Sequence, residues 1–211
     1  MQGSNSGNEK ISVFEIKKIW DDLRNDDSGA LNKLFYKFYD DLYFYGTKLC
    51  KDNDQITDSI QEVFIYLWES RKSLSNVSHV KSYIFKIFRN KIFKAKASSK
   101  IYSLFPNNEQ INHPNFEISQ EDLLIEQELN STRSELILNI LNELTPKQRE
   151  ILYLKYYCNL SNTEISEALS IEKQSVSNLL NRSFHFLRKK LKPEDFFILF
   201  NPLILSQLKF F

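Results

Sequence analysis

Glycine is scarce in this chain, with four residues among 211, all at or before Gly46. That excludes the nucleotide loops G-x-x-x-x-G-K-[ST] and G-x-G-x-x-G, which need glycine where backbone approaches phosphate. It also removes the Asn-Gly and Asp-Gly turns of tight hairpins. Cysteine is nearly as rare: Cys50 and Cys158 stand far apart with no CxxC spacing, so neither a disulfide framework nor a zinc site is indicated and a reducing cytosol fits. The three histidines, His79, His113 and His185, are scattered without metal-ligand spacing. No metal, cofactor or catalytic centre is expected, and an enzyme is disfavoured. Long apolar runs are missing too. The longest, FFILFNPLILSQLKFF at Phe196 to Phe211, is broken by Asn201, Pro202, Gln207 and Lys209 and is too short to span a bilayer. The opening MQGSNSGNEK lacks the apolar core of a secretory signal and reads as a disordered start. A cytoplasmic protein without membrane insertion is therefore predicted.

What is present is a 42% apolar composition, ample for a buried core, and a net charge of only +1 that conceals strong segregation. Residues 71–100 hold nine Lys or Arg and no acid, whereas residues 101–132 hold six acids and no Lys or Arg. A local patch, not the total, creates the field a partner feels. Within the basic segment, KSYIFKIFRNKIFKAK at Lys81 to Lys96 crowds six cations and four aromatic rings into sixteen residues. A solvated helix face is normally mixed in sign, so this run points to phosphate, and six such contacts would give a log-log salt slope of about −5. The rings Tyr83, Phe85 and Phe93 widen the apolar stripe beyond one packing face, which leaves packing and base stacking both open for them.

Helical periodicity dominates, and no segment alternates with the period of a half-buried strand. The spacing predicts helices over about Ile11 to Arg24, from Ser28 through Cys50, and over ITDSIQEVFIYLWES. In this last helix Ile56, Ile60, Val63, Phe64, Leu67 and Trp68 trace one face. In the basic segment Val80, Ile84, Ile87, Phe88 and Ile92 keep helical spacing. Residues 98–120, with Pro106, Pro114 and the run NNEQINHPN, lack apolar periodicity and divide the chain. After an acidic helix come two explicit starts: Thr145 before Pro146 and Gln148, and Ser161 before Glu164, both capping boxes. A turn is required at Cys158-Asn159, where Asn tolerates the left-handed conformation, and another at Ser170-Ile171. The following helix directs Val176, Leu179, Leu180, Ser183, Leu187 and Leu191 inward.

A short helix, a tight turn and a longer helix form the helix-turn-helix pattern. The longer helix leaves Lys173, Gln174, Ser175, Ser177, Asn178, Asn181, Arg182 and His185 to face a partner, and these are the types that read base edges and phosphates. It closes on Arg188, Lys189, Lys190 and Lys192, which suit its C-terminal dipole and a phosphate backbone. The predicted architecture is all-α: a disordered start (1–10), a helical domain (11–97), an acidic linker (98–131), a helix-turn-helix domain (132–192) and an apolar extension (193–211).

Two stretches together resemble bacterial sigma factors of the small, two-domain extracytoplasmic-function group of the sigma-70 family. DSIQEVFIYLWES followed by VKSYIFKIFRNKI looks like that family's region two, with its D-x-x-Q-E-x-F-x-x-x-W helix. LTPKQREILYLKYYCNLSNTEISEALSIEKQSVSNLLNRSFHFLRKKL looks like its region four. The family usually has Trp at Tyr83, Gly at Asn159 and Ser170, Ala at Ser166, and Ser at Glu172. The resemblance implies that Asp58, Gln61, Glu62, Tyr66 and Glu69 contact RNA polymerase core. It implies that Ser78, His79, Lys81, Tyr83, Lys86, Arg89, Asn90 and Lys94 engage the minus-ten promoter element as its strands separate. The helix from Lys173 to His185 then reads the minus-thirty-five element. The acidic linker is similar in placement to the family's connector toward the RNA exit path, and an anti-sigma factor is a further expected partner.

The other reading is a LuxR-type regulator, because LTPKQREIL also resembles that group; the first half is then a sensor or dimerisation module. A helical adaptor such as an anti-sigma protein is a third. Both leave the basic run, or the basic recognition helix, without a purpose. The tail PEDFFILFNPLILSQLKFF has no counterpart in these motifs and is expected to cap one domain or to act as a lid.

Overall fold

The computed structural model describes residues 13–98, 115–119 and 131–200, and among them every regular element is an α-helix. The first half contains α1 (Val13–Arg24), α2 (Ser28–Leu49), α3 (Asn53–Ser70) and α4 (Val80–Ser98). The second contains α5 (Ser131–Asn142), α6 (Pro146–Tyr156), α7 (Asn162–Leu169), α8 (Lys173–Lys190) and α9 (Pro193–Phe200). The expected disordered start, most of the linker and the end of the tail lie outside the described residues.

Short polar side chains start the helices of the first half. Asp27 accepts from Gly29 N (2.7 Å) ahead of α2, and Asp52 accepts from Gln55 N (3.1 Å) ahead of α3. Each satisfies a backbone donor with no partner inside the helix. The core then assembles from Leu34, Phe38 and Leu42 of α2 and from the predicted stripes of the next two helices: Ile56, Ile60, Val63 and Leu67 of α3, and Val80, Ile84, Phe88 and Ile92 of α4 are all buried. Ile87, assigned to the same stripe, is only partly buried, whereas Phe85 is enclosed. Gly46 lets α2 cross α3 and α4 closely, since a Cβ there would lie 2.7 Å from Ile56 Cγ2 and 3.0 Å from Phe88 Cζ. The loop before α4 is braced by α1: Trp20 donates to the Ser75 carbonyl (3.2 Å), Arg24 to that of Leu74 (2.9 Å) and Lys17 to that of Val77 (2.7 Å).

Both predicted capping boxes form. Gln148 N donates to Thr145 Oγ1 (3.3 Å) while Thr145 N donates to Gln148 Oε1 (3.0 Å). Ser161 and Glu164 repeat the exchange at 3.2 and 2.9 Å. Asn159 and Ser170 both take left-handed backbone (φ 53°), which lets the chain reverse after α6 and after α7. Glu172 occupies the cap position of α8 without a side-chain capping bond. Inward residues of α8 are buried as expected, except that Leu179 is half-buried. The first part of the apolar tail is α9, packed over the second half. Phe200 lies 4.8 Å from Tyr156 and 5.1 Å from Phe184, and Asp195 is buried against Arg133 of α5.

The halves are not beads on a string. Arg149 of α6 donates to the carbonyls of Phe116 (2.8 Å), Asn142 (3.0 Å) and Leu144 (2.6 Å), so one guanidinium ties a linker residue to the end of α5. Phe116 is enclosed between Tyr45 of α2 and Tyr153 of α6, with ring centroids 6.2 and 5.4 Å away. Glu117 N reaches back to the Lys48 carbonyl (3.0 Å). Residues 115–119 thus seat the second half against the first, with α4 packed on α7.

Candidate nucleic-acid interface

Three surfaces carry the residues singled out by the sequence, and the fold treats them differently. The first is α8. Its start follows the left-handed turn at Ser170, and its inner face is anchored by Val176, Leu180, Ser183 and Leu187. Helical spacing then leaves Lys173, Gln174, Asn178, Asn181, Arg182 and His185 exposed, with Ser175 and Ser177 partly so. Gln174 donates to Asn178 Oδ1 (3.1 Å), which holds two amide groups side by side on that face. Amides and cations in such a row match the donor and acceptor edges of base pairs and their phosphates.

The second surface is the outer side of α3, where Asp58, Gln61, Glu62, Tyr66 and Glu69 are all exposed. Ile65, 55% exposed, stands among them and was not singled out by the sequence reading. Its signal was available: it is apolar but off the core stripe of an otherwise clean amphipathic helix. Glu62 pairs with Lys91 of α4 at 3.0 Å, an exposed contact of little energetic weight.

The third surface, α4 and its preceding loop, divides in two. Ser78, Lys86, Asn90 and Lys94 are exposed. His79, Lys81 and Arg89 instead turn toward the second half. Arg89 donates through Nε to Glu150 Oε1 (2.9 Å) and through Nη2 to Oε2 (3.4 Å), and Tyr45 Oη donates to the same Oε1 (2.6 Å). Lys81 Nζ donates to Asp41 Oδ2 (2.7 Å) and to the Cys158 carbonyl (2.6 Å). Ser82 Oγ donates to Glu167 Oε2, and the His79 ring Nδ1 lies 3.0 Å from Glu167 Oε1. Tyr45, Glu150 and Glu167 escaped the sequence reading altogether.

Electrostatics follow from this burial. Burial and then the Glu150 charge push the Tyr45 hydroxyl well above the usual phenol range. Burial by itself lowers the Arg89 pKa, but the neighbouring Glu150 carboxylate outweighs it and holds the guanidinium charged. Burial also pushes the Tyr83 hydroxyl up to about 12, helped by its hydrogen bond with Tyr66. Of the three undecided rings, Phe85 is core, Tyr83 packs edge-on to Trp20 (5.5 Å) while half-buried, and Phe93 lies under the Arg89 guanidinium (4.6 Å).

Among the described residues there is no group of three or more His, Cys, Asp or Glu arranged to hold a metal ion, and no helix is long and apolar enough to cross a membrane. The arrangement is that of a helix-turn-helix body joined to a helical module with a basic helix, the class of protein that docks on nucleic acid. Comparison with known proteins gives the family. A family model of sigma-70 region 2 matches residues 34–100, and one of sigma-70 region 4 matches residues 134–187. The ECF RNA polymerase sigma factor SigL of Mycobacterium tuberculosis is 24% identical over 153 residues, 72% of this chain and 82% of SigL. The RNA polymerase sigma-F factor of Kitasatospora aureofaciens is 41% identical over 54 residues, 26% of this chain and 18% of that protein. Among solved structures, CnrH in complex with the cytosolic domain of CnrY shares the fold with a TM-score of 0.56 at 14% identity, covering 82% of this chain and 94% of CnrH. RpoE of Bartonella quintana, solved with the anti-sigma factor NepR, does so with a TM-score of 0.53 at 17% identity, covering 77% and 97%.

The chain belongs to the sigma-70 family, as a sigma factor of the extracytoplasmic-function group. It binds RNA polymerase core and promoter DNA and directs transcription initiation. The LuxR-type reading is not favoured, because the first half it needed as a sensor matches sigma-70 region 2.

Proposed function

We propose a division of that function among the three surfaces. Residues 11–97 form the polymerase-binding and minus-ten module, residues 98–131 the connector, and residues 132–192 the minus-thirty-five module. Asp58, Gln61, Glu62, Tyr66 and Glu69 of α3 contact polymerase core, with Ile65 as the apolar anchor at the centre of that polar strip. Ser78, His79, Lys81, Tyr83, Lys86, Arg89, Asn90 and Lys94 engage the minus-ten element, the cations on phosphate and Tyr83 at the edge of an unpaired base. Lys173, Gln174, Ser175, Ser177, Asn178, Asn181, Arg182 and His185 read the minus-thirty-five duplex.

The observation that carries this reading is the outer face of α8, on which six of its eight named residues are exposed. The reading assigns no catalysis to the chain itself, since polymerase performs the chemistry. It places the protein in the cytoplasm beside that enzyme, with an anti-sigma factor as its remaining partner. The test is reconstitution: the purified chain is added to RNA polymerase core and initiation is scored across a promoter library. Promoter-dependent transcripts that weaken on substitution in α3, α4 and α8 are expected. Initiation that survives alanine at Gln61, Ile65 and Tyr66 together would refute the assignment of α3. DNA binding by the isolated chain as a dimer, without initiation, would refute the division as a whole.

A further inference from the structure

Helix α1 lies outside the stretch matched by sigma-70 region 2, which begins at residue 34, and it takes no part in the three surfaces. Its polar contacts nevertheless converge on one place. Lys17, Trp20 and Arg24 are spaced by three and four residues, so they share a face of the helix, and each donates to a backbone carbonyl of the connection between α3 and α4. Arg24 Nε donates to the Leu74 carbonyl (2.9 Å), Trp20 Nε1 to that of Ser75 (3.2 Å) and Lys17 Nζ to that of Val77 (2.7 Å), and Lys17 also bonds the Asn76 side chain. The start of the same connection is held from the turn after α1. There Asp26, left-handed at φ 71°, pairs with Arg71 at 2.5 Å and with Lys72 at 3.1 Å.

The side chains of the connection sort accordingly. Leu74 and Val80 are buried at the two ends of its last stretch, while Ser75, Asn76 and Ser78 between them are exposed. A carbonyl oxygen carries partial negative charge and repels a phosphate. α1 draws three of these oxygens inward, and Ser82 Oγ and Tyr83 N take that of His79 (2.9 and 3.2 Å), so the outer side presents hydroxyl and amide side chains instead. Those are types that bond base edges and phosphates, and a loop already held in shape loses less freedom when it binds. Trp20 adds a second link. It is fully enclosed, and the Tyr83 ring of α4 stands edge-on to it with centroids 5.5 Å apart. One side chain of α1 thus sets both the loop at Ser75 and the ring that follows it.

We propose that Lys17, Trp20 and Arg24 are positioning residues for minus-ten recognition, fixing the loop at 74–79 in the shape that presents Ser75, Asn76 and Ser78 to the separated strand. They act through the loop and do not touch DNA. This rests on the assignment of that loop and α4 to the minus-ten element. Holoenzyme is reconstituted from the full chain carrying Lys17→Met, Trp20→Phe or Arg24→Met, each of which removes the donor and keeps an apolar stem or ring. Base preference is then read at every minus-ten position in a randomised-promoter selection, with the minus-thirty-five preference as internal control and circular dichroism to confirm folding. Discrimination at the minus-ten element should fall about threefold to tenfold, the ratio set by one hydrogen bond. The minus-thirty-five preference should stay at the parental level. Lys17→Arg, which keeps a donor, should retain most of the minus-ten preference. If Trp20→Phe does not fold, the other two variants decide by the same measurements. Folded variants with the parental minus-ten preference would overturn the proposal. So would initiation lowered equally at all promoters, the mark of a merely structural brace. Alanine at Ser78, Asn90 and Lys94 together tests the reading beneath it: unchanged minus-ten preference and promoter affinity there would overturn the assignment of the surface, and the positioning role with it.

Discussion

Alanine at Gly46 should destabilise the first half, although helix propensity argues the opposite. Gly46 lies inside α2, where alanine is favoured over glycine by about 1 kcal/mol. Against this stands the crossing of three helices. The added Cβ would fall 2.7 Å from Ile56 Cγ2, 3.4 Å from Ile56 Cγ1 and 3.0 Å from Phe88 Cζ. Both neighbours are fully enclosed, so neither can swing into solvent. Overpacking of this kind costs about 1–3 kcal/mol, and two immobile neighbours place it near the upper end. The net expectation is a loss of about 1–2 kcal/mol. Urea unfolding followed by tryptophan fluorescence isolates the effect, because both tryptophans, Trp20 and Trp68, lie in the first half. The midpoint should fall with little change in slope. Ile56→Ala removes the closest contact, so the double variant should lose at least about 1 kcal/mol less than the two single losses added together. A Gly46→Ala protein more stable than the parent, or strict additivity in the cycle, would refute the close crossing.

Other expectations follow from individual contacts. Arg149→Met strips three carbonyls of their shared donor, at a cost of about 3 kcal/mol, and calorimetry should show the transition lowered by about 2–4 °C for each kcal/mol in a chain of this size. Ser170→Gly relieves a left-handed non-glycine residue at the turn and should raise stability by about 0.5–1 kcal/mol without altering DNA binding, as read by thermal melts and gel shift. In holoenzyme, Asn181→Ala should reduce discrimination at one minus-thirty-five base pair by about 1–3 kcal/mol, seen as a relaxed preference in a randomised-promoter selection. Lys94→Ala should instead weaken promoter binding uniformly across sequences and flatten the log-log salt slope by about 1.

Local chemistry was legible and distant pairing was not. The starts of α6 and α7 could be read because a capping box is complete within four residues, Thr145 to Gln148 and Ser161 to Glu164. The outer strip of α3 was readable because that helix is buried along one stripe only. α4 resisted because it is covered twice, by the core of its own half and by α7, so Phe85 and Phe93 fit no single stripe. The hydrogen bonds that close the seam span 105 residues for Tyr45 to Glu150 and 61 for Arg89 to Glu150, distances at which sequence spacing carries no signal. One trace did exist. Residues 149–154 of α6 are buried all round, polar Arg149 and Glu150 included, and a helix with so little free face needs cover from a second body.

That cover also gives meaning to the near-neutral charge. With 28 basic and 27 acidic residues, the chain looks poorly suited to a polyanion. Yet α4 carries cations without acids, and their partners come from other elements: Asp41 of α2 for Lys81, Glu62 of α3 for Lys91, and Glu150 of α6 for Arg89. Balance in composition is thus achieved in space by apposing segregated segments, and among these three pairs the one to Glu150 crosses from one half to the other. Lys86 and Lys94 stay exposed on the outer face of α4 and give it a local basic field. The balance that seemed to argue against a nucleic-acid partner is therefore a property of the whole composition rather than of that face.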